Sequence, residues 1–183
     1  MRALSLAVLL ALASLSSGCL VLTLQPIYDD GSLEVDETLA GTWRGREQAV
    51  TVVVQRGEWK SYRVTYTDRS TSYALVAYLT KIGDSLFLDL TPERGLEVGP
   101  LMIPAHGACR VRREGDKVTI APLDYDWFME AIRAKTLARL ETALDSRQNV
   151  LLTSKTLVLR AWILAHLKTA DVFSEPITFT RSR

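Results

Sequence analysis

The side chains in this sequence with chemical potential are few: His106, Cys109, the pair Asp124 and Asp126, and His166. A cysteine and a histidine make an activated nucleophile when a third group orients the imidazole. His106 and Cys109 are three residues apart, however, and on or near a strand that spacing turns the two side chains to opposite faces. Asp124-Tyr125-Asp126-Trp127 is the densest acidic and aromatic cluster. Paired carboxylates beside rings serve glycoside chemistry, but alternate residues share a side only in extended backbone, and either acid suits the cap of a helix starting here. His166 falls near the end of an apolar run, where a helix C-terminus favours partial positive charge. A metal centre needs three or four ligands, and two distant histidines with one thiol give no such spacing, so neither metal nor cofactor is expected. Gly-x-Ser-x-Gly, phosphate-loop and His-Glu-x-x-His patterns are missing. The expectation is a non-catalytic domain, with a hydrolase using His106 with Asp124 or Asp126 as the competing reading.

Cys19 carries chemistry of another kind. Arg2 precedes an uncharged run from Ala3 to Leu15, which ends in Ser16, Ser17 and Gly18. That is the plan of a secretory signal peptide over residues 1–18. The apolar run is too short to span a bilayer, which takes roughly 20 residues. Leu15-Ser16-Ser17-Gly18-Cys19 resembles the lipobox of bacterial lipoproteins. The resemblance implies cleavage before Cys19 and lipidation of its sulfur, with acyl chains such as palmitate holding the protein to the cell envelope. Two or more chains make such anchoring stable. By the same resemblance Leu20, being no aspartate, implies delivery to the periplasmic side of the outer membrane where the cell has one. An ordinary signal-peptidase cut, which Ser16 and Gly18 also permit, would instead leave a soluble chain starting at an unmodified Cys19. With Cys19 lipidated, Cys109 has no disulfide partner and is expected as a small buried apolar residue.

Composition narrows the partners. The 22 Lys and Arg oppose 21 Asp and Glu, and loss of Arg2 with the signal balances them. A nucleic-acid binder would carry a basic excess on its footprint, so nucleic acid is not an expected partner. Residues 19–38 hold five acids and no base, and read as a lipidated cysteine and acidic tether. Residues 39–183 are long enough for one domain with a real core.

The elements that must position any site begin with strands. Val50, Val52 and Val54, then Tyr62, Val64 and Tyr66, then Leu86, Leu88 and Leu90 alternate with polar neighbours, the mark of strands wet on one side. Tyr73 to Leu79 is apolar on both faces and is expected to lie centrally. Breaks at Arg56-Gly57, Asp68-Arg69-Ser70, Gly83-Asp84 and Gly115-Asp116 suit antiparallel hairpins. Between Leu90 and Cys109 the pattern lapses, and Leu96 to Ile103, with Leu101 and Met102, are expected as a lid or a minor core. Helices are predicted near 126–144 and 155–168, the second apolar enough to cover the sheet. Ile177 to Thr180 is predicted as a closing strand paired with the first. The fold class is α+β: a mainly antiparallel, strongly curved or barrel-like sheet with two helices in the C-terminal half.

Gly41-Thr42-Trp43 resembles the Gly-x-Trp that opens lipocalin-like barrels, where the tryptophan plugs the barrel floor. The expected function is an accessory protein at the envelope, binding an apolar small molecule or a partner protein, with Trp59, Tyr62, Tyr66, Tyr73, Tyr78, Leu101 and Met102 as candidate binding residues. A purely structural interaction module is the third reading. An open apolar cavity of about 300 Å³ or more would favour ligand binding, and polar groups converging on His106 would favour catalysis.

Overall fold

The computed structural model describes residues 20–45, 50–69, 71–93 and 104–182. The alternating segments form β3 (Gly41–Gly45), β4 (Val50–Arg56), β5 (Ser61–Asp68), β6 (Thr71–Ile82), β7 (Ser85–Pro92), β8 (Gly107–Glu114), β9 (Lys117–Pro122) and β12 (Ile177–Arg181). Neighbours pair antiparallel in the order β6-β5-β4-β3-β12-β9-β8-β7, and β7 pairs back onto β6. The result is a closed eight-stranded antiparallel β-barrel. Closure removes the unpaired edges that a sheet would otherwise expose. The closing strand pairs with the first barrel strand as the sequence suggests, Phe179 opposite Gly45 and Arg181 opposite Trp43. Gly83 and Gly115 supply positive φ, 59° and 58°, at the two-residue β6–β7 and β8–β9 hairpins, and Arg69, at φ 52°, does so at the equally short β5–β6 hairpin.

Register fixes what faces inward. Trp43, Val52, Tyr66 and Tyr73 are opposite one another on successive strands, as are Val54, Val64 and Leu75. Leu88, Cys109 and Pro122 continue the inner wall on the other side. Among the described residues this is one of two hydrophobic cores, and it includes Trp43, Tyr62, Leu79, Leu88 and Phe179.

The second core lies outside the barrel, over β6 to β9. Helix α1 (Tyr125–Arg133), helix α2 (Thr156–His166) and a small sheet cover it. That sheet joins β1 (Val21–Thr23) in parallel to β11 (Val150–Leu152), which pairs antiparallel with β10 (Thr142–Leu144). Ile27, Phe87, Phe128 and Val172 are completely buried between the layers, and each large apolar side chain so buried contributes about 2 kcal/mol. Among the described residues no helix is long and apolar enough to cross a membrane.

Three details differ from the sequence expectation. The first helix ends at Arg133 and not near 144, since Lys135 takes a left-handed φ of 57° and residues 142–144 join a sheet. The second helix is one or two residues shorter at each end than 155–168. The described part of the acidic segment, 20–38, is woven into the domain. It supplies β1, the buried Ile27 and Leu33, and β2 (Leu33–Glu34), which adds to the end of β6.

Candidate functional site: an apolar barrel cavity

The barrel encloses a cavity of about 230 Å³, and its walls expose no polar surface. Leu39, Trp43, Val52, Tyr66, Leu75, Leu90, Ile120 and Phe179 are among the lining residues. The volume is below the 300 Å³ that a pocket for a whole drug-sized molecule reaches. It suits a small apolar molecule or one apolar segment of a larger one. A larger depression, about 890 Å³, lies on the outer wall over β8, β9 and β12. It is an open trough of threonines and charged side chains such as Arg112 and Glu114, both mostly in solvent. Both are open to solvent on one side, and they differ in chemistry: the site inside the barrel is wholly apolar and is lined by the inward-facing rows of the strands.

One end of the barrel is shut. Asp36 caps a short 3₁₀ turn, Glu37–Leu39, and Leu39 packs into the barrel as a lining residue. Three arginines from the ends of three strands hold this plug. Arg56 Nε is 3.3 Å from Glu37 Oε1, and Arg113 Nε is 3.4 Å from Asp36 Oδ2. Arg181 Nη1 donates to the Ala40 carbonyl at 2.9 Å, and its Nη2 donates to the Thr38 carbonyl. The same guanidinium lies 4.3 Å from the centre of the Trp43 ring, a cation–π contact. Trp43 Nε1 donates to the Leu39 carbonyl at 2.9 Å, so this buried indole has no unpaired donor. Gly41 makes the stacking possible: its φ is 142°, and a Cβ there would collide with the Arg181 guanidinium. Burial disfavours the Asp36 carboxylate, but hydrogen bonds from Thr38 and the Arg113 charge outweigh it and hold the carboxyl below its ordinary range.

The other end carries Tyr66, Tyr73 and Ile177. Tyr73 is 54% exposed, and its ring sits 6.3 Å from that of Tyr66, which lines the cavity. Burial raises the Tyr66 hydroxyl above its ordinary pKa, with Asp68 adding to the effect. Ile177 lines the cavity while half exposed.

The candidate binding residues separate into groups. Tyr62 and Tyr66 face the cavity, and Tyr73 stands at its rim beside Tyr66. Tyr62 is fully buried; its hydroxyl accepts from the Asp36 N–H at 2.7 Å and donates to the Asp36 carbonyl at 3.2 Å, so it also pins the plug. Trp59 and Tyr78 lie outside the barrel instead. Trp59 is 58% exposed on the β4–β5 hairpin and makes an edge contact with Tyr78, which packs on Tyr28. The reason is register: Tyr78 lies between the inward-facing Ala77 and Leu79. Leu101 and Met102 lie outside the described residues.

The candidate catalytic residues do not converge. His106 Nδ1 lies 2.6 Å from Oδ1 of Asp89, a fully buried carboxylate whose Oδ2 accepts the Ile27 N–H at 2.8 Å. The backbone of His106 exchanges two 2.8 Å hydrogen bonds with Thr23. This pair therefore staples the N-terminal segment to β7 and β8. Cys109 points the other way, into the barrel wall, and burial, reinforced by Asp89, pushes its thiol up to about 12. Asp124 caps α1 through the Trp127 N–H at 2.9 Å and accepts from Ser174, while Asp126 is exposed. His166 stacks on Trp162 with ring centres 4.1 Å apart. Among the described residues no hydroxyl or thiol is hydrogen-bonded to His106, and no group of three potential metal ligands occurs.

Sequence reasoning missed Asp89 and the three plug arginines. Asp89 reads as a solvent-facing residue of an alternating strand, and the only contrary signal is Phe87 in the same row, an apolar residue on the supposedly wet face. Comparison with models of protein families, with curated proteins and with solved structures finds no match to this chain, so its own geometry alone supports the assignment of the cavity as a site.

Proposed function

We propose that this protein is a lipid-anchored component of a bacterial cell envelope whose barrel binds a small apolar ligand, or the apolar part of a larger one, without catalysing a reaction. The observation that carries the binding role is the cavity: walls without polar surface, a latched floor at Trp43 and an aromatic rim at Tyr66 and Tyr73. An apolar space inside a barrel draws an apolar guest out of water, and with no polar wall surface available the guest's own polar atoms would remain at the rim. Catalysis is not favoured, because His106 and Asp89 are occupied in holding the N-terminal segment and no nucleophile adjoins them.

The anchoring role is supported by the lipobox-like Leu15 to Cys19, and with it the envelope address, on the outer membrane where one exists. Two measurements test the parts separately. Intact mass and fractionation of the wild type and Cys19→Ala should show acyl mass and membrane association in the first and neither in the second. Two soluble, unacylated proteins would overturn the anchor. Mass spectrometry of organic extracts of the purified domain after incubation with envelope lipids should find an apolar compound in stoichiometric amount. Its absence across conditions would count against the binding role.

A further inference from the structure

Helix α2 is apolar on the side that faces solvent as well as on the side that faces the core. Leu159, Trp162 and Ile163 are buried. On the opposite side Leu157, Ala161, Leu164 and Ala165 follow helical spacing and are exposed, Leu157 by 79% and Leu164 by 52%. A helix apolar all round is ordinarily covered all round. Charge indicates what covers this one. From residue 146 to residue 170 the sequence has no Asp or Glu, yet it holds Arg147, Lys155, Arg160 and Lys168. Arg160 turns inward to the Ile27 and Lys81 carbonyls and pairs with Asp29, Nε to Oδ2 at 3.4 Å, while Arg147, Lys155 and Lys168 are exposed, with the exposed Asp84 of the β6–β7 turn beside Leu164 as a neighbouring acid. An apolar stripe with a lysine at each end is the pattern of a helix lying in the interface of an anionic bilayer, its leucines among the acyl chains and its ammonium groups at the phosphates.

A second observation brings a membrane to that side. Leu20, one residue after Cys19, is fixed in the fold: its N–H donates to Asn149 Oδ1 at 2.9 Å and its carbonyl accepts from the Val150 N–H at 2.9 Å. The six residues from Val150 to the start of α2 at Thr156 span at most about 20 Å. An anchor at Cys19 would therefore leave the domain almost no leash and keep the start of α2 within about 20 Å of the point of attachment. We propose that the outward face of α2 lies in the interfacial layer of the anionic membrane that carries the anchor, so that the domain sits on the bilayer in one orientation. This inference rests on the anchoring role proposed above.

The test uses the full chain, matured in bacteria, purified in detergent and reconstituted into vesicles of phosphatidylethanolamine and phosphatidylglycerol. Cys109 is buried with its thiol pushed up to about 12, so a cysteine introduced on the surface takes a bimane label selectively. Labels at Leu157→Cys and Leu164→Cys should be quenched several-fold more strongly by brominated lipid than a label at Lys117→Cys on the exposed barrel wall. Equal, weak quenching at all three sites in acylated, vesicle-bound protein would overturn the orientation and leave the anchor intact. Protein without acyl mass that fails to float with the vesicles would overturn the anchor and this inference together. Labels at 157 and 164 shielded without vesicles, in proportion to protein concentration, would overturn it by assigning the face to a second copy of the chain.

Discussion

Arg181 joins the last strand, the Trp43 ring and the carbonyls of Thr38 and Ala40 through one guanidinium, and Gly41 leaves the space it needs. Gly41→Ala should therefore cost about 2 kcal/mol, the scale of one strained backbone position. Gly31→Ala, at an ordinary φ with its nearest neighbour 3.4 Å away, should stay within about 0.5 kcal/mol. Urea midpoints compare the two, and equal shifts would contradict the role given to Gly41. Asp89→Ala leaves His106 and the Ile27 N–H without their buried partner and should cost about 3 kcal/mol, with amide exchange at Ile27 accelerating first. At Asp36 the sign follows from linkage. Its carboxyl titrates near 3.8 when free and lower in the fold, so the fold favours the ionised form. That contribution is complete above the free value and is lost as pH falls through the folded one. Wild type should lose stability below about pH 4 more steeply than Asp36→Asn; parallel melting curves from pH 2 to 6 would refute the latch.

Most barrel strands were legible in the sequence because they keep one face apolar at every second residue, β3 being marked instead by Trp43 between two glycines, and every expected hairpin break falls at a hairpin. The outer layer was not, since the same period cannot tell a face that meets water from one that meets a second layer, and Phe87 and Asp89 meet the second layer. The end of α1 was hidden for a different reason. Thr136 N–H reaches the Ala131 carbonyl at 2.9 Å and Lys135 N–H the Ile132 carbonyl at 3.1 Å, the paired bonds that close a helix where glycine usually stands. Here the residue is Lys135 at φ 57°, so the customary stop signal is missing. Lys135→Gly should accordingly raise stability by about 0.5 to 1 kcal/mol, whereas a helix continuous through 135 would lose about 1 kcal/mol. Thermal denaturation gives the sign directly. Tyr62 and Tyr66 of β5 share the inward parity and line the cavity, a distinction from core filling that alternation alone does not make, while Tyr78 falls outside because it occupies the other parity of β6.

At the scale of the whole molecule, two apolar cores share one wall of barrel strands. The outer core is filled by helices, the small sheet and the N-terminal segment, whereas the inner one lines an apolar cavity. Filling a barrel this narrow would take only a few larger side chains, and the proposed binding role rests on the space they would fill. The most direct test is fluorescence titration of the purified domain with an apolar probe such as 1-aminoanthracene, beside Ala77→Phe and Val52→Phe, which place rings in the cavity from β6 and β4. Wild type should bind the probe at one saturable site, and whichever variant keeps a cooperative melt should lose it at least tenfold. Unchanged probe binding in a well-folded filled variant would contradict the cavity as the site.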